Sequence, residues 1–433
     1  MVTKTLEEVL STPPMYGLNA AACGYVSGAS RYIRITDITD DGKYRPSDNA
    51  YVLSSDERYL LHDNDILLAR TGASVGKSYL FNENDGKLIF AGFLIKVTID
   101  PQKAVARYIF ECFHTENYWN WVRSESARSG QPGINSQQYA DFILHLPPLP
   151  EQRRIAEALS DMDALIAAME KLIAKKRAIK QGAMQELLTG KRRLPGFAGE
   201  WIKKPLMECC NLLQGLTYTP RNVQSYGLLV LRSSNIQDGK LSFSDCVFVN
   251  CSIDESKYVQ PNDILICVRN GSSALIGKSC VIDKTYNATF GAFMSVLRGD
   301  ETGYIANIFA SDIVQNQIRN RSSATINQIT KHDFENIIIP IPPTKPEQTA
   351  IAEILSDMDA EIDALTAKLN KLRNIKQGMM SELLTGRIRL AETDKAKTTK
   401  LYPYPTDEPL LIAAEPTVPY GTKNKEALTD ADD

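Results

Sequence analysis

The chain has 433 residues, 43% apolar and 23% charged, the balance of a globular protein with room for two or three domains. No apolar run reaches the roughly 18–20 residues of a membrane span, and the start, MVTKTLEEVL, is too polar for a signal peptide, so a cytoplasmic protein with no membrane partner is expected. The net charge of −3 lacks the basic excess usual in nucleic-acid binders, and eight cysteines without a Cys-x-x-Cys pair point to reduced thiols rather than a metal site.

Residues 1–150 read as a first globular domain with a charge of about −3. Its short β-like runs are Tyr32–Thr36, Asp65–Leu68, Leu88–Phe90, Phe93–Val97 and Phe142–Leu146, split by Gly, Asn and Asp. Residues 104–122 read as one helix, in which Tyr118-Trp-Asn-Trp121 is packing. Residues 151–194, about +4, form a long helix that starts after Leu146-Pro-Pro-Leu-Pro150 and ends near Gly190. Its heptad seam runs through Ile155, Leu159, Met162, Ile166, Met169 and Ile173, then meets Lys176 and Lys180 before Leu187. Residues 195–346, about +1, are a second globular domain. Residues 347–390 are a second helix with a seam through Ile351, Leu355, Met358, Ile362, Leu365, Leu369, Leu372, Met379 and Leu383, broken at Lys376. Residues 391–433 are Pro- and charge-rich, about −4, and are expected to be a disordered tail.

The two helical segments align without a gap, with about 27 of some 44 positions identical, far above chance. The globular parts repeat more weakly. Asn64-Asp-Ile-Leu67 with Gly76-Lys-Ser78 echoes Asn262-Asp-Ile-Leu265 with Gly277-Lys-Ser279, and Arg34 with Ile38 echoes Arg232 with Ile236. Ile134-Asn135 and Asp141-Phe142 echo Ile326-Asn327 and Asp333-Phe334. The expected fold is α+β: two pseudo-symmetric globular α/β domains separated by two long helices that pair as an antiparallel coiled coil.

A globular domain ending in Pro-Pro-x-x-Glu-Gln, then a helix running to Glu-Leu-Leu-Thr-Gly, then the same again, resembles the specificity (S) subunit of type I restriction–modification systems. The stretch Asn-Asp-Ile-Leu…Arg…Gly-Lys resembles a signature of its target-recognition domains, and the likeness covers about residues 1–390. The resemblance implies that each globular domain reads one half of a bipartite site in double-stranded DNA. The helices would set the spacer and dock two methyltransferase (M) subunits, and restriction (R) subunits would join them. One departure stands out: nothing before Met1 matches Gly196–Trp201, so the N-terminal edge is expected to be short.

Gly72-Ala-Ser-Val-Gly-Lys-Ser78 imitates a P-loop, but its glycines are one residue too close, while Gly271 and Gly277 are one too far apart. A turn between strands near the DNA is expected instead, with Lys77, Lys278, Arg70 and Arg269 as phosphate contacts. Arg31 and Arg34, Arg123 and Arg128, and Arg319 and Arg321 lie in stretches read as polar loops, with Arg232 matching Arg34. Arg pairs bidentately with guanine and Asn or Gln with adenine, so Asn135, Asn327, Gln131, Gln137, Gln138 and Gln328 join them as candidate base contacts. Each alone is an ordinary exposed side chain; as a set repeated in two domains they mark the expected DNA face. Asp41-Gly-Lys43, Asp85-Gly-Lys87 and Asp238-Gly-Lys240 read as hairpin turns, not nuclease metal sites. No methyltransferase tetrapeptide, G-x-S-x-G or H-E-x-x-H occurs, so no enzyme activity and no cofactor are expected. The competing reading is a coiled-coil scaffold that binds protein alone.

Overall fold

The computed structural model describes residues 1–390 except 47, 49, 55, 128–131, 301 and 322–326; the expected tail 391–433 and Arg128 lie outside the described residues. The described residues divide into two units, 1–170 with 367–390, and 171–366.

The first unit contains β1 (Val2–Thr5), β2 (Leu10–Tyr16), β3 (Ser30–Ile33), β4 (Tyr51–Val52), β5 (Asp65–Ala69), β6 (Ser78–Leu80), β7 (Leu88–Phe90), β8 (Leu94–Ile99) and β9 (Ile143–Leu146). Three helices, α1 (Ala106–Cys112), α2 (Glu116–Ser126) and α3 (Ser136–Ala140), lead by way of β9 to the long helix α4 (Leu149–Leu187). An antiparallel sheet has the order β2-β8-β5-β6, a smaller one β4-β3-β7, and β1 pairs with β9. All five residues of β5 are buried, because both of its faces are covered. Alternate side chains face opposite ways. Ile66 and Leu68 join Tyr108, Ile109 and Tyr118 of the helices, while Leu67 and Ala69 join Ile33, Leu88 and Phe90 of the second sheet.

The second unit repeats this plan with β10 (Ile202–Pro205), β11 (Asn211–Gln214), β12 (Val223–Gln224), β13 (Leu228–Leu231), β14 (Ile236–Gln237), β15 (Lys240–Leu241), β16 (Val247–Val249), β17 (Ile264–Cys267), β18 (Ser279–Val281), β19 (Ala288–Phe290), β20 (Met294–Arg298) and β21 (Ile338–Ile341). Its helices are α5 (Thr302–Ala310), α6 (Asp312–Arg321), α7 (Lys331–Glu335) and the long α8 (Lys345–Leu383). The sheet β11-β20-β17-β18 matches the first unit's larger sheet strand for strand, and β10 pairs with β21 as β1 does with β9. The extra hairpin β14–β15 turns at Asp238-Gly239, both with positive φ, as the Asp-Gly signal predicts.

The repeated Asn-Asp-Ile-Leu is a folding motif. Asn64 and Asn262 adopt φ of 68° and 70°, a turn geometry that Asn tolerates. The buried Asp65 carboxylate accepts from His62 N at 2.9 Å and Thr98 Oγ1 at 2.5 Å. Asp263 does the same for Gln260 N at 2.8 Å and Arg298 Nε at 2.7 Å. Ile and Leu then enter the two cores.

One reading of the sequence needs correction here. The expected single helix 104–122 is two, α1 and α2, because the chain breaks at Phe113–Thr115 and the Thr115 side chain caps α2 by accepting from Tyr118 N. Tyr118 and Trp121 do pack in the core, with stacked rings 5.8 Å apart. β1 pairs with β9 over four residues as β10 does with β21, and Met1 lies against Gly386 as Trp201 lies against Gly190.

The long helices have 39 residues each, and both are divided between the units. In the first unit the opening half of α4 runs antiparallel to the closing half of α8: Asp163 meets Lys376 at 2.7 Å and Glu170 meets Arg373 at 2.6 Å. In the second unit the closing half of α4 faces the opening half of α8, with Lys176–Glu361 at 2.7 Å and Lys180–Asp359 at 2.5 Å. The three lysines that interrupt the apolar seams therefore each meet a carboxylate of the facing helix, while Ile155, Leu159, Ile166, Leu355, Ile362 and Leu369 are buried. Gly190 and Gly386, both at φ 71°, end the helical segments as C-terminal caps.

The Glu-Gln pair after each Pro-rich stretch is a clamp. Glu347 is fully buried and takes Arg193 Nε at 2.5 Å and Nη2 at 2.8 Å; Glu151 takes Arg389 Nε at 2.7 Å and Nη2 at 2.5 Å. Gln152 Nε2 donates to Pro147 O at 2.9 Å while its Oε1 accepts from Val105 N. Glu347→Ala leaves the Arg193 fork and Trp201 Nε1 without their acceptor. It is expected to destabilise the second unit by about 2–3 kcal/mol, below the range for a fully buried pair because Arg193 keeps part of its hydration. Hydrogen exchange checks this: unchanged protection of peptides around 190–206 would contradict it. At Glu151, the hydrogen bond from Arg389 holds the carboxyl below its ordinary value. A depressed folded value means that this contribution is present above about pH 4.3 and is lost as pH falls through the folded value. Protection near 149–157 should drop in that acid window, and Glu151→Gln should remove this part of the dependence.

Candidate nucleic-acid interface

In the first unit three segments meet at the end of β5. Arg70 N donates to Phe93 O at 3.1 Å, Ile134 N to Arg70 O at 2.9 Å, and Gly72 N to Pro132 O at 3.0 Å. The Arg70 guanidinium lies 4.7 Å from the centre of the Tyr16 ring, and Tyr16 Oη accepts from Ser136 N at 3.1 Å. The hydrogen bonding with Ser136, helped by the Arg70 charge, lowers the Tyr16 phenol from its usual value. Asn135, exposed beside this cluster, caps α3 by accepting from Gln138 N at 2.8 Å.

The second unit builds the same junction at the end of β17. Val268 N and Arg269 N donate to Phe293 O at 3.0 and 3.2 Å, and Ile329 N donates to Val268 O at 2.8 Å. Asn327 Nδ2 donates to Gly271 O at 2.9 Å. Strand register puts Gln214 where the first unit has Tyr16, since Tyr16 pairs with Ile95 and Gln214 with Ser295. Val268 stands where the first unit has Arg70, and Arg269, at the position of Thr71, lies over Phe293, 5.1 Å from its ring centre. Each junction thus gathers a guanidinium, an Asn amide and an aromatic face, groups that pair with bases and phosphates.

The glycine loops are not phosphate cradles. Val75 N donates to Gly72 O, Gly76 N to Ala69 O and Lys77 N to Ser74 O; Ile276, Gly277 and Lys278 bond likewise to Ser273, Cys267 and Leu275. Those N–H groups are held by the loop itself, and Tyr118 Oη closes on Gly76 O at 2.8 Å. The loops are turns between β5 and β6 and between β17 and β18, as expected. Lys77 pairs with Asp40 at 2.9 Å, and Lys278 is half-buried.

Other candidates are engaged elsewhere. Arg34 pairs with buried Asp37 at 3.1 Å and with Asp48 at 2.8 Å, and Arg232 pairs with Asp245 at 2.7 Å, so both brace the turn after their own strand. Arg31 lies 5.9 Å from the Tyr51 ring centre. Arg123, Arg319 and Arg321 are on helices α2 and α6, not in polar loops, because buried Val122, Val314 and Ile318 anchor those helices to the core. Arg321 Nη2 donates to Asn336 O at 2.8 Å, and Arg319 Nη2 to Asn316 Oδ1 at 2.5 Å.

The match of Asn135 with Asn327 slips by three residues. Ile134 N and Ile329 N make the equivalent bonds, and Asn135 and Thr330 are the equivalent helix caps. Asn327 reaches the junction from the preceding loop. Sequence reading also passed over Tyr16, Phe93 and Phe293. The available signal was Phe90-Ala-Gly-Phe93 against Phe290-Gly-Ala-Phe293, hidden because Phe93 was assigned to a strand.

The family model of the type I restriction modification DNA specificity domain matches residues 19–176 and 234–374. The chain is 33% identical over 204 residues to the specificity subunit of the type I restriction enzyme EcoKI of Escherichia coli (strain K12), covering 45% of this chain and 44% of that protein. It is 23% identical over 359 residues to the MjaVIII specificity subunit of Methanocaldococcus jannaschii, covering 78% and 83%. The match spans less than half the length of the first of these relatives. Among solved structures, the type I S subunit from M. genitalium aligns with a TM-score of 0.57 at 13% identity, over 88% of this chain and 95% of that one. A chain from a structure of type I complex assembly aligns at 0.54 and 19%, over 89% and 98%. These two likenesses show a shared fold.

Proposed function

We propose, since the chain belongs to the type I restriction modification DNA specificity family, that it is the non-catalytic subunit that selects the DNA target of such a complex. Residues 1–150 and 195–346 each read one half of a bipartite duplex site. The helices of 151–194 and 347–390 set the spacer and dock two M subunits, with R subunits joining the full assembly in the cytoplasm. Arg70 with Asn135, and Arg269 with Asn327, face the DNA; Lys77 and Lys278 lie close to its phosphates.

One observation carries this reading. The framework of the two junctions is the same, down to the bonds from Arg70 N and Val268 N to a phenylalanine carbonyl and from Ile134 N and Ile329 N back to them, while the side chains they present differ: Tyr16 against Gln214, Arg70 against Val268, and Thr71 against Arg269. A protein-binding scaffold has no need to keep near-identical helices while its heads diverge at one corresponding edge; a reader of two different half-sites does. The experiment is adenine-methylation sequencing of cells with and without the gene. One split motif should vanish on deletion, and the purified chain alone should transfer no methyl group from S-adenosylmethionine. Retention of every motif, or methyl transfer by the isolated chain, would overturn the reading.

A further inference from the structure

The turn between β7 and β8, and its counterpart between β19 and β20, holds a solvent-facing phenylalanine in each unit. Phe93 is 60% exposed and Phe293 57%, while their neighbours Phe90, Leu94, Phe290 and Met294 are buried. The turns are tightly fixed. Leu94 N donates to Ala91 O at 2.9 Å and Met294 N to Gly291 O at 2.8 Å; Gly92 N reaches Leu18 O and Gly291 N reaches Leu231 O. Gly17 and Gly215 pass so close beneath that a Cβ on either would run into the carbonyl of Ala91 or Gly291. The carbonyls of Phe93 and Phe293 accept the backbone N–H of Arg70 and Arg269, so each ring stands beside the junction described above. Nothing in the fold needs these rings outside: the core is closed beneath them by Phe90 and Phe290. Both heads nevertheless keep a phenylalanine here while Tyr16 and Gln214, two residues of the same edge, differ.

We propose that Phe93 and Phe293 make the apolar base contact of their respective half-sites, an inference that rests on the DNA-reading function above. Duplex DNA offers an apolar partner in two forms, the thymine methyl in the major groove and the face of a base at an opened step. The neighbouring guanidinium supplies the charge that draws a phosphate or guanine edge to the same place.

The test uses the whole chain assembled with its M subunits and duplexes enriched from a randomised library on the wild-type complex. Phe93→Ala and Phe293→Ala should each weaken binding to the enriched duplex about 10-fold and relax base preference in one half-site only, a different half for each. Replacing thymine by deoxyuridine at the affected position should weaken the wild-type complex and leave the alanine variant unchanged if the methyl is the partner. If an opened step is the partner, 2-aminopurine fluorescence there should rise with the wild-type complex and not with the variant. Unchanged affinity and preference overturns the proposal. So does loss of M-subunit assembly while the assembled fraction binds DNA normally, which would make these rings protein contacts. Failure of the wild-type complex to enrich any motif overturns the DNA-reading function itself, and is distinguishable because it precedes the substitutions.

Discussion

Replacing residues 195–346 with the corresponding segment of a relative that has a different target should change one half of the methylated motif and leave the other half as it was. The expectation rests on how the second unit is closed. Its core joins Leu206, Tyr304, Ile305, Ile308 and Phe309 of the globular part to Met184, Leu187, Leu188, Ile351 and Leu355 of the helices. A donor segment that keeps those apolar positions, and a residue like Trp201 against Gly190, finds the same helical seat. The Arg193–Glu347 bond lies outside the exchanged stretch on both sides and survives intact. Only the presented edge changes, around Gln214, Arg269, Asn270, Phe293 and Asn327. Each mismatched base pair costs about 1–3 kcal/mol, so a head that reads three or four pairs switches its half-site by orders of magnitude in affinity. Adenine-methylation sequencing reads the outcome. A change in both halves, or in neither, would mean that the heads do not read independently.

The parts of this molecule that were legible in the sequence are those where one residue type has one physical task. The heptads gave the helices and their antiparallel pairing, the Asp-Gly signal at 238–239 gave a hairpin, and the slipped glycine spacings excluded a nucleotide cradle. What stayed hidden depended on partners distant in sequence. Lys176, Lys180 and Lys376 look like faults in an apolar seam until Glu361, Asp359 and Asp163 are seen opposite them. Glu151 and Glu347 stand in the sequence only as part of the Pro-Pro-x-x-Glu-Gln motif, yet each is the buried acceptor for an arginine more than 150 residues away. Arg34 and Arg232 looked like DNA contacts because nothing in the sequence places Asp48 or Asp245 beside them. The slip between Asn135 and Asn327 has a related cause: an Ile-Asn dipeptide is a weak marker, whereas the bond that defines the register is made by a backbone N–H that every non-proline residue carries.

Lengthening both long helices by four residues should leave the two half-sites unchanged and widen the gap between them by one or two base pairs. Each helix of 39 residues has a contour of about 58 Å at 1.5 Å per residue. Four added residues give about 6 Å, against 3.4 Å per base pair along one strand. They also turn the helix by about 400°, only some 40° past a full turn, so the apolar stripe keeps nearly the same face. The pairings fix where the insertions belong. Glu170–Arg373 stands on one side of Ala174 and Lys176–Glu361 on the other, and the facing point on α8 is Thr366. An insertion after Ala174 alone sets these pairs against each other, and one group must break; matched insertions after Ala174 and Thr366 preserve both. Two residues in place of four turn the stripe by about 200°, carry Lys176 and Lys180 away from Glu361 and Asp359, and should abolish assembly with the M subunits. Methylation sequencing of cells carrying the matched four-residue insertions decides the matter: full activity at the original gap would show that something other than these helices sets the distance.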